Sequence, residues 1–480
     1  MDNNATAKNN IDDVTEIFSL HGNYYPYNAP EINLSKTSTN SEFWRVLKPF
    51  SQIDEAHFLS YKWQVKETVS GLQGIKNFLQ SVASDDFIKQ LLLGVQQAPM
   101  TIRLTPYILS RIDWSDPVGD PIRRQFIPLA AEYVRDHPML NLDSLAEQND
   151  SPVPGLVHRY PDKALFLAQS TCPVYCRFCT RSYLIGQDTD TVTKVKYQNS
   201  TKHWRHIFDY LETQSQIEDI VVSGGDCYHL SPQMLEFIGE SLLPIPHIRR
   251  IRFATKGLAV EPTKILTDHA WTDTLTRIVD RGRKITKHVA LHTHFNHPNE
   301  ISWITQKAAN RLFERGVTVR NQSVLIRGVN NNSETMVSLV KKLAGMNIQP
   351  YYVYQHDLVK GVENLRTDLY TNIWLEKWVR GITAGFYTPT FVTDCPGGGG
   401  KRVSSSYEYY NRQTGVSVYI APSIKQNRAF LYFDPLPYLK EEVQKAWFNP
   451  KEAQQFCAEA LSQVSGLATA WKDHYLEALD

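Results

Sequence analysis

The chain has 480 residues, 42% hydrophobic and 21% charged, with 51 basic against 50 acidic side chains and a net charge of +1. That composition is ordinary for a globular protein. Its even charge offers no bulk attraction to nucleic acid, and no apolar run reaches the ~18 residues of a membrane span.

The opening stretch, MDNNATAKNNIDDVTE, is polar and acidic, without the basic-then-apolar build of a secretory signal, so a cytoplasmic location is expected. Thiols stay reduced there. Residues 1–40, rich in Asn, Ser and Thr, read as a flexible lead-in. Over 41–150 the apolar residues of EFWRVLKPFSQ, LQGIKNFLQSV and DFIKQLLLGVQQ recur at helical spacing. PVPG, Pro152 to Gly155, punctuates the end of that region.

Beyond it, strand-like runs alternate with helical ones. Strands are predicted at 164–170, 219–225, 249–257, 288–295, 318–326, 349–357 and 388–394, with helices between them, for example at 299–314 and 333–345. Such alternation means parallel strands with crossover helices, an α/β fold. Periodicity alone does not separate an open or partial barrel from a doubly wound sheet. In both, function gathers at the carboxyl ends of the strands. Residues 406–480 read as a C-terminal extension of loop and helix, whose apolar stretch RAFLYFDPLPYL either covers the barrel or meets a partner.

The strand-end rule collects the unusual residues. Cys172 follows the first predicted strand, Ser223–Gly224–Gly225–Asp226 end the second, and His294 and His297 end the fourth. Asp357 ends the sixth strand and Asp394 the seventh. In TCPVYCRFCTR, Cys172, Cys176 and Cys179 are spaced so that one loop wraps three thiolates around one centre. A cubane iron–sulfur cluster takes one thiolate per iron, so three leave one iron open to a small molecule. The alternative is a zinc ion with a distant fourth ligand.

DCPGGGGKR, 394–402, is not a phosphate-binding P-loop, because Cys395 stands where that motif needs Gly and Arg402 where it needs Ser or Thr. It reads either as a flexible loop ending in a solvated lysine, or as a glycine backbone crowding Lys401 into a pocket. In the second reading burial lowers the amine pKa and suits it to Schiff-base chemistry. Asp357 and Asp394 would repel if buried side by side, unless a cation lay between them; otherwise each caps a following helix. His292, His294 and His297 offer a metal site or a pocket wall.

CxxxCxφC with Phe178 as the aromatic, followed by SGGD, resembles the signature of radical S-adenosylmethionine (SAM) enzymes. SPVPGLVHRYPDKALFL, HFNHPNE, NQSVLIRGVN, PYYVYQHDL and TPTFVTDCPGGGGK, in that order, are similar to segments of the lysine 2,3-aminomutase family, as are YKWQVKETV and LTPYILSRID upstream. The resemblance runs from about residue 41 to 405. It implies a partial (β/α)6-type radical SAM barrel over 151–405, preceded by the helical region, with SAM, a [4Fe-4S] cluster on Cys172, Cys176 and Cys179, and pyridoxal phosphate (PLP) on Lys401.

It further implies that the backbone of Ser223, Gly224, Gly225 and Asp226, with His294 and Gln322, meets SAM. Arg159, Tyr160, Lys163 and Tyr354 would lie near PLP. Arg181 would meet the substrate carboxylate, and Asp357 with Asp394 its side-chain ammonium. Family members acting on glutamate lack that pair of acids, so the resemblance implies a basic amino acid, lysine first. It also implies a flavodoxin- or ferredoxin-type reductant and a homo-oligomer. The family's intersubunit zinc cysteines are missing: GVNNNSETM has none and the C-terminal region only Cys457, so zinc is not expected. The sequence leaves open arginine as substrate, the same fold with another radical outcome, and a zinc-binding module without activity.

Overall fold

In a computed structural model of the chain, the described residues are 41–464 apart from 198, 199 and 427. The lead-in expected over residues 1–40 lies outside them. Two helices of the N-terminal region form where the spacing predicts, Gly71–Leu79 and Asp85–Gln97. Ser84 caps the second, accepting the Phe87 N–H, and Phe87, Ile88 and Leu91 make its buried face. EFWRVLKPFSQ instead forms two short 3-10 turns, Phe43–Val46 and Lys48–Phe50, because Pro49 has no N–H to continue a helix. A ribbon of β1 (Val69–Ser70) and β2 (Arg103–Leu104) completes the region.

All seven predicted strands are present and parallel: β4 (Lys163–Gln169), β5 (Asp219–Gly224), β6 (Arg250–Ala254), β7 (His288–Thr293), β8 (Thr318–Val324), β9 (Gln349–Tyr354) and β10 (Thr390–Cys395). An antiparallel strand borders each edge, β3 (Leu156–Tyr160) beside β4 and β11 (Gly400–Val403) beside β10. The result is a nearly closed, nine-stranded partial barrel. No backbone ladder joins β3 to β11. Instead the Lys401 N–H donates to the Tyr160 hydroxyl at 2.9 Å.

Side chains alternate along each strand. Ile220, Val222, Ile251, Phe253, Val289 and Leu291 point outward into the apolar core. Their neighbours Val221, Ser223, Arg252, Ala254 and His292 point inward and line a cavity. The apolar core thus lies between sheet and helices, while the lumen, which a closed eight-stranded barrel fills with side chains, is left for chemistry.

The C-terminal residues depart from the expected loop and helix. β12 (Tyr409–Asn411), β13 (Val416–Ile420) and β14 (Ala429–Phe433) form an antiparallel sheet, followed by helices Glu441–Trp447 and Pro450–Ser462. All five residues of β14 are buried, so RAFLYF shows no alternation that marks a half-exposed strand. This sheet packs on the segment after β9. Arg366 and Glu363, both fully buried, pair at 2.6 Å. Glu363 also accepts the Leu436 N–H at 2.8 Å, and Arg366 donates to the Phe433 carbonyl. Removing one partner leaves a buried charge uncompensated. Glu363→Ala should lower the free energy of urea unfolding by about 3–5 kcal/mol, more than any exposed ion pair of the chain.

Candidate active site

The cysteine loop leaves the carboxyl end of β4 and is tied down from two sides. On the N-terminal side, Arg103 Nε donates to the Cys172 carbonyl at 3.1 Å, and the Tyr175 and Arg177 N–H groups donate to Arg103 and Gln125 carbonyls at 3.1 and 2.9 Å. On the other side, the turn after β5 docks against residues 169–171. The Gly225 and Asp226 N–H groups donate to the Gln169 and Thr171 carbonyls at 2.5 and 2.9 Å. A Cβ on Gly224 would lie 2.3 Å from the Gln169 oxygen, and one on Gly225 only 2.2 Å from that of Thr171. Gly224 also has φ +104°, a conformation other residues avoid. These glycines therefore let the protein's own chain come close at the root of the loop. Asp226 holds that corner, accepting the Tyr228 and Lys256 N–H groups at 2.9 and 2.7 Å.

The three cysteines are free thiols that line the cavity. Burial raises all three pKa values, Cys176 to about 12, with Asp226 adding to the rise at Cys172. Phe178 stacks on His294, with ring centres 5.6 Å apart.

Across the cavity, β10 and β11 place Asp394 directly opposite Lys401. Lys401 Nζ donates to Asp394 Oδ2 at 2.9 Å and lies 5.6 Å from the Tyr160 and Tyr354 ring centres. This corrects the pKa expected from burial alone. Burial pulls the amine down, but Asp394, aided by the two tyrosines, outweighs it and holds Lys401 well above an ordinary lysine. Asp357 Oδ2 accepts the Thr180 hydroxyl at 2.5 Å. Its carboxyl is pushed up to about 7 by burial and then by Asp394. Neither carboxylate caps a helix, and among the described residues Oδ1 of each is buried without a partner.

Every residue to which the resemblance gives a cofactor or substrate role lines this one cavity of about 450 Å³, with His292; His297 and Cys395 do not. Some have neighbours the sequence did not disclose. Arg181 makes a two-pronged pair with buried Glu147, Nη2 to Oε1 at 2.6 Å and Nε to Oε2 at 2.8 Å, which leaves Nη1 for another anion. Arg159 is held by Asp150 at 2.7 Å. Lys163 Nζ lies 4.4 Å from the Tyr160 ring centre and 3.1 Å from Asp162. The Tyr354 hydroxyl donates to Gln322 at 2.7 Å.

Glu147, Thr180 and Lys256 also line the cavity and were missed. Lys256, just past β6, was within reach of the strand-end rule; Glu147, in an irregular stretch outside the barrel, carried no signal. The three histidines do not converge. His297 accepts the Asn299 N–H at 3.1 Å, His292 packs on Tyr351, and His294 on Phe178. Among the described residues no three His, Cys, Asp or Glu side chains are grouped to hold a single metal ion.

The donor set suits an iron–sulfur cluster, which takes one thiolate per iron along a wall of thiols rather than three on one ion. A cationic centre bound there would draw off the thiol protons. Lys401, between the Tyr160 and Tyr354 rings, equally fits an aldehyde cofactor bound through an amine.

No protein-family model matches the chain. It is 37% identical over 354 residues to the L-lysine 2,3-aminomutase of Clostridium subterminale, covering 73% of this chain and 79% of that protein. The chain belongs to the lysine 2,3-aminomutase family. The L-lysine 2,3-aminomutase of Bacillus subtilis is 34% identical over 358 residues, covering 75% of this chain and 71% of that protein. The glutamate 2,3-aminomutase of Clostridioides difficile is 31% identical over 348 residues, covering 72% and 76%. Membership makes this protein an isomerase of the aminomutase type.

Gly225→Ala should part the turn after β5 from Thr171 and displace the cysteine loop. Iron bound after anaerobic reconstitution should fall to below about half of wild type. Gly345→Ala, which meets nothing within 4 Å, should leave it unchanged.

Proposed function

We propose that this aminomutase is a radical SAM, PLP-dependent enzyme that moves the α-amino group of a basic L-amino acid from C2 to C3, converting L-lysine to β-lysine. The observation that carries the substrate class is the pair of buried, unpartnered carboxylate oxygens of Asp357 and Asp394 in the cavity that also holds Lys401 and the three thiols. A third carboxylate there would meet two others, whereas an ammonium neutralises them.

When bound, the reduced cluster and SAM supply hydrogen-atom abstraction and PLP carries the migrating nitrogen. The chain's own part is to hold and position. Cys172, Cys176 and Cys179 hold the cluster, with Ser223, Gly224, Gly225, Asp226, His294 and Gln322 beside SAM. Arg159, Tyr160, Lys163 and Tyr354 surround PLP. Lys401 would have to give up the proton it shares with Asp394 Oδ2, at 2.9 Å, before its amine could bond to carbon.

Lys401 would hold PLP through its amine, and Asp394 with Asp357 would receive the substrate's ε-ammonium between them. Arg181, aimed by Glu147, offers Nη1 to the substrate carboxylate. The barrel walls around the cavity would limit the access of water to the radical steps. The reading includes a one-electron donor of flavodoxin or ferredoxin type, a cytoplasmic site of action and a homo-oligomer. It also assigns 151–405 as the catalytic barrel, 41–150 as the support of its cysteine loop, and the described part of the 406–480 extension, residues 406–464, as its cover.

The test is anaerobic. Protein reconstituted with iron, sulfide and PLP is given SAM, dithionite and a mixture of lysine, arginine, ornithine and glutamate, and products are read by NMR. β-Lysine is expected, and it should vanish in Lys401→Ala. A β-arginine or β-ornithine signal would overturn the choice of lysine while keeping the chemistry. SAM left uncleaved by a fully loaded cluster would overturn the whole reading. Because the Asp357 carboxyl is held up to about 7 and a cation needs it ionised, lysine affinity should fall about tenfold per pH unit below that value. Asp357→Asn should bind weakly throughout, with no such slope.

A further inference from the structure

The C-terminal sheet reaches the cavity wall through β14. Tyr432 is 1% exposed. Its hydroxyl donates to the His356 carbonyl at 2.8 Å and accepts from Gln355 Nε2 at 3.0 Å. Gln355 and His356 directly precede Asp357, in irregular chain beyond the end of β9. The Gln355 N–H also donates to the Val392 carbonyl at 2.7 Å, linking this segment to β10, the strand that carries Asp394.

Two residues along, Phe430 lies on the same face of β14. It packs on Gly399, where an added Cβ would be 2.6 Å from the Phe430 ring. Gly399 opens the approach to Lys401. One strand face of the extension therefore braces both the Asp357 segment and the lysine loop. The buried Arg366–Glu363 pair fixes that strand in turn. A mere cover would need apolar contact only; a tyrosine hydroxyl placed on two backbone and side-chain groups beside Asp357 does more.

We propose that Tyr432 is a positioning residue for the substrate. Its hydroxyl fixes the Gln355–His356 backbone and so aims Asp357 at the side-chain ammonium, which makes the C-terminal extension part of the selectivity apparatus. This rests on the reading that Asp357 and Asp394 receive that ammonium.

The test is equilibrium binding of L-lysine, L-arginine and L-ornithine to cluster- and PLP-loaded protein, by calorimetry. The proteins are wild type, Tyr432→Phe, Asp357→Asn and the double variant. Tyr432→Phe should retain wild-type iron and PLP content yet bind the preferred basic amino acid about tenfold more weakly. It should cost nothing further in the Asp357→Asn background, because both changes act through one group. Tyr410→Phe removes a hydroxyl of the same sheet that bonds Asp434 instead, and should leave affinity unchanged.

Unchanged affinity in Tyr432→Phe, or an equal loss with and without Asp357, would overturn the proposal while leaving the substrate reading intact. Wild-type protein that binds none of the three would overturn both. Gln355→Met, which removes a partner of the same hydroxyl, must show the same non-additivity, and keeps the test decisive if Tyr432→Phe fails to load its cofactors.

Discussion

Asp357 and Asp394 put two carboxylates into a buried wall where the Lys401 ammonium pairs with Asp394 and, among the described residues, no ion pair reaches Asp357. That leaves Asp357 short of a cation of its own, and burial beside Asp394 pushes its carboxyl up to about 7. An unfolded aspartate releases its proton near ~3.9. Its raised value in the fold means that Asp357 favours the native state most below that pH, and that this contribution is lost as pH rises through about 7. At neutral pH the site is therefore held at a cost that a second cation relieves. A substrate ammonium would supply the cation that Asp357 lacks, without any moving part.

The architecture exists to bring that shortage next to a cluster of thiols. Seven parallel strands with antiparallel edges leave a lumen instead of filling it. Each strand end then contributes one or two groups to a common wall. The opposite edges meet through the Tyr160 hydroxyl and the Lys401 N–H, so the residue that anchors PLP in our reading also closes the barrel. The N-terminal region and the C-terminal sheet support the two sides of the cavity: Arg103 and Gln125 hold the cysteine loop, and Tyr432 holds the chain before Asp357.

Much of this was legible from the residues alone. Parallel strands between helices carry continuous apolar runs that survive without tertiary information, and all seven were found. Strand ends are where chemistry gathers, so Cys172, Asp226, Asp357 and Asp394 could be placed on one face before any coordinates. What escaped had no period to reveal it. Ala429–Phe433 is buried on both faces, and Glu147 sits in irregular chain. Lys401 was expected to have a lowered pKa because burial was visible in the glycine run while the cross-strand register with Asp394 was not. A one-residue shift of that register would have turned Lys401 away from the acid.

Proton counting tests the central claim most directly. L-lysine is bound to the cluster- and PLP-loaded protein at pH 6 in two buffers of different ionisation enthalpy, for wild type and Asp357→Asn. If Asp357 must ionise to receive the substrate cation, wild type releases more protons than the variant at pH 6, and the difference shrinks as pH rises. Equal proton release by the two proteins at pH 6 would mean that the ammonium does not bind at Asp357, and would contradict the account.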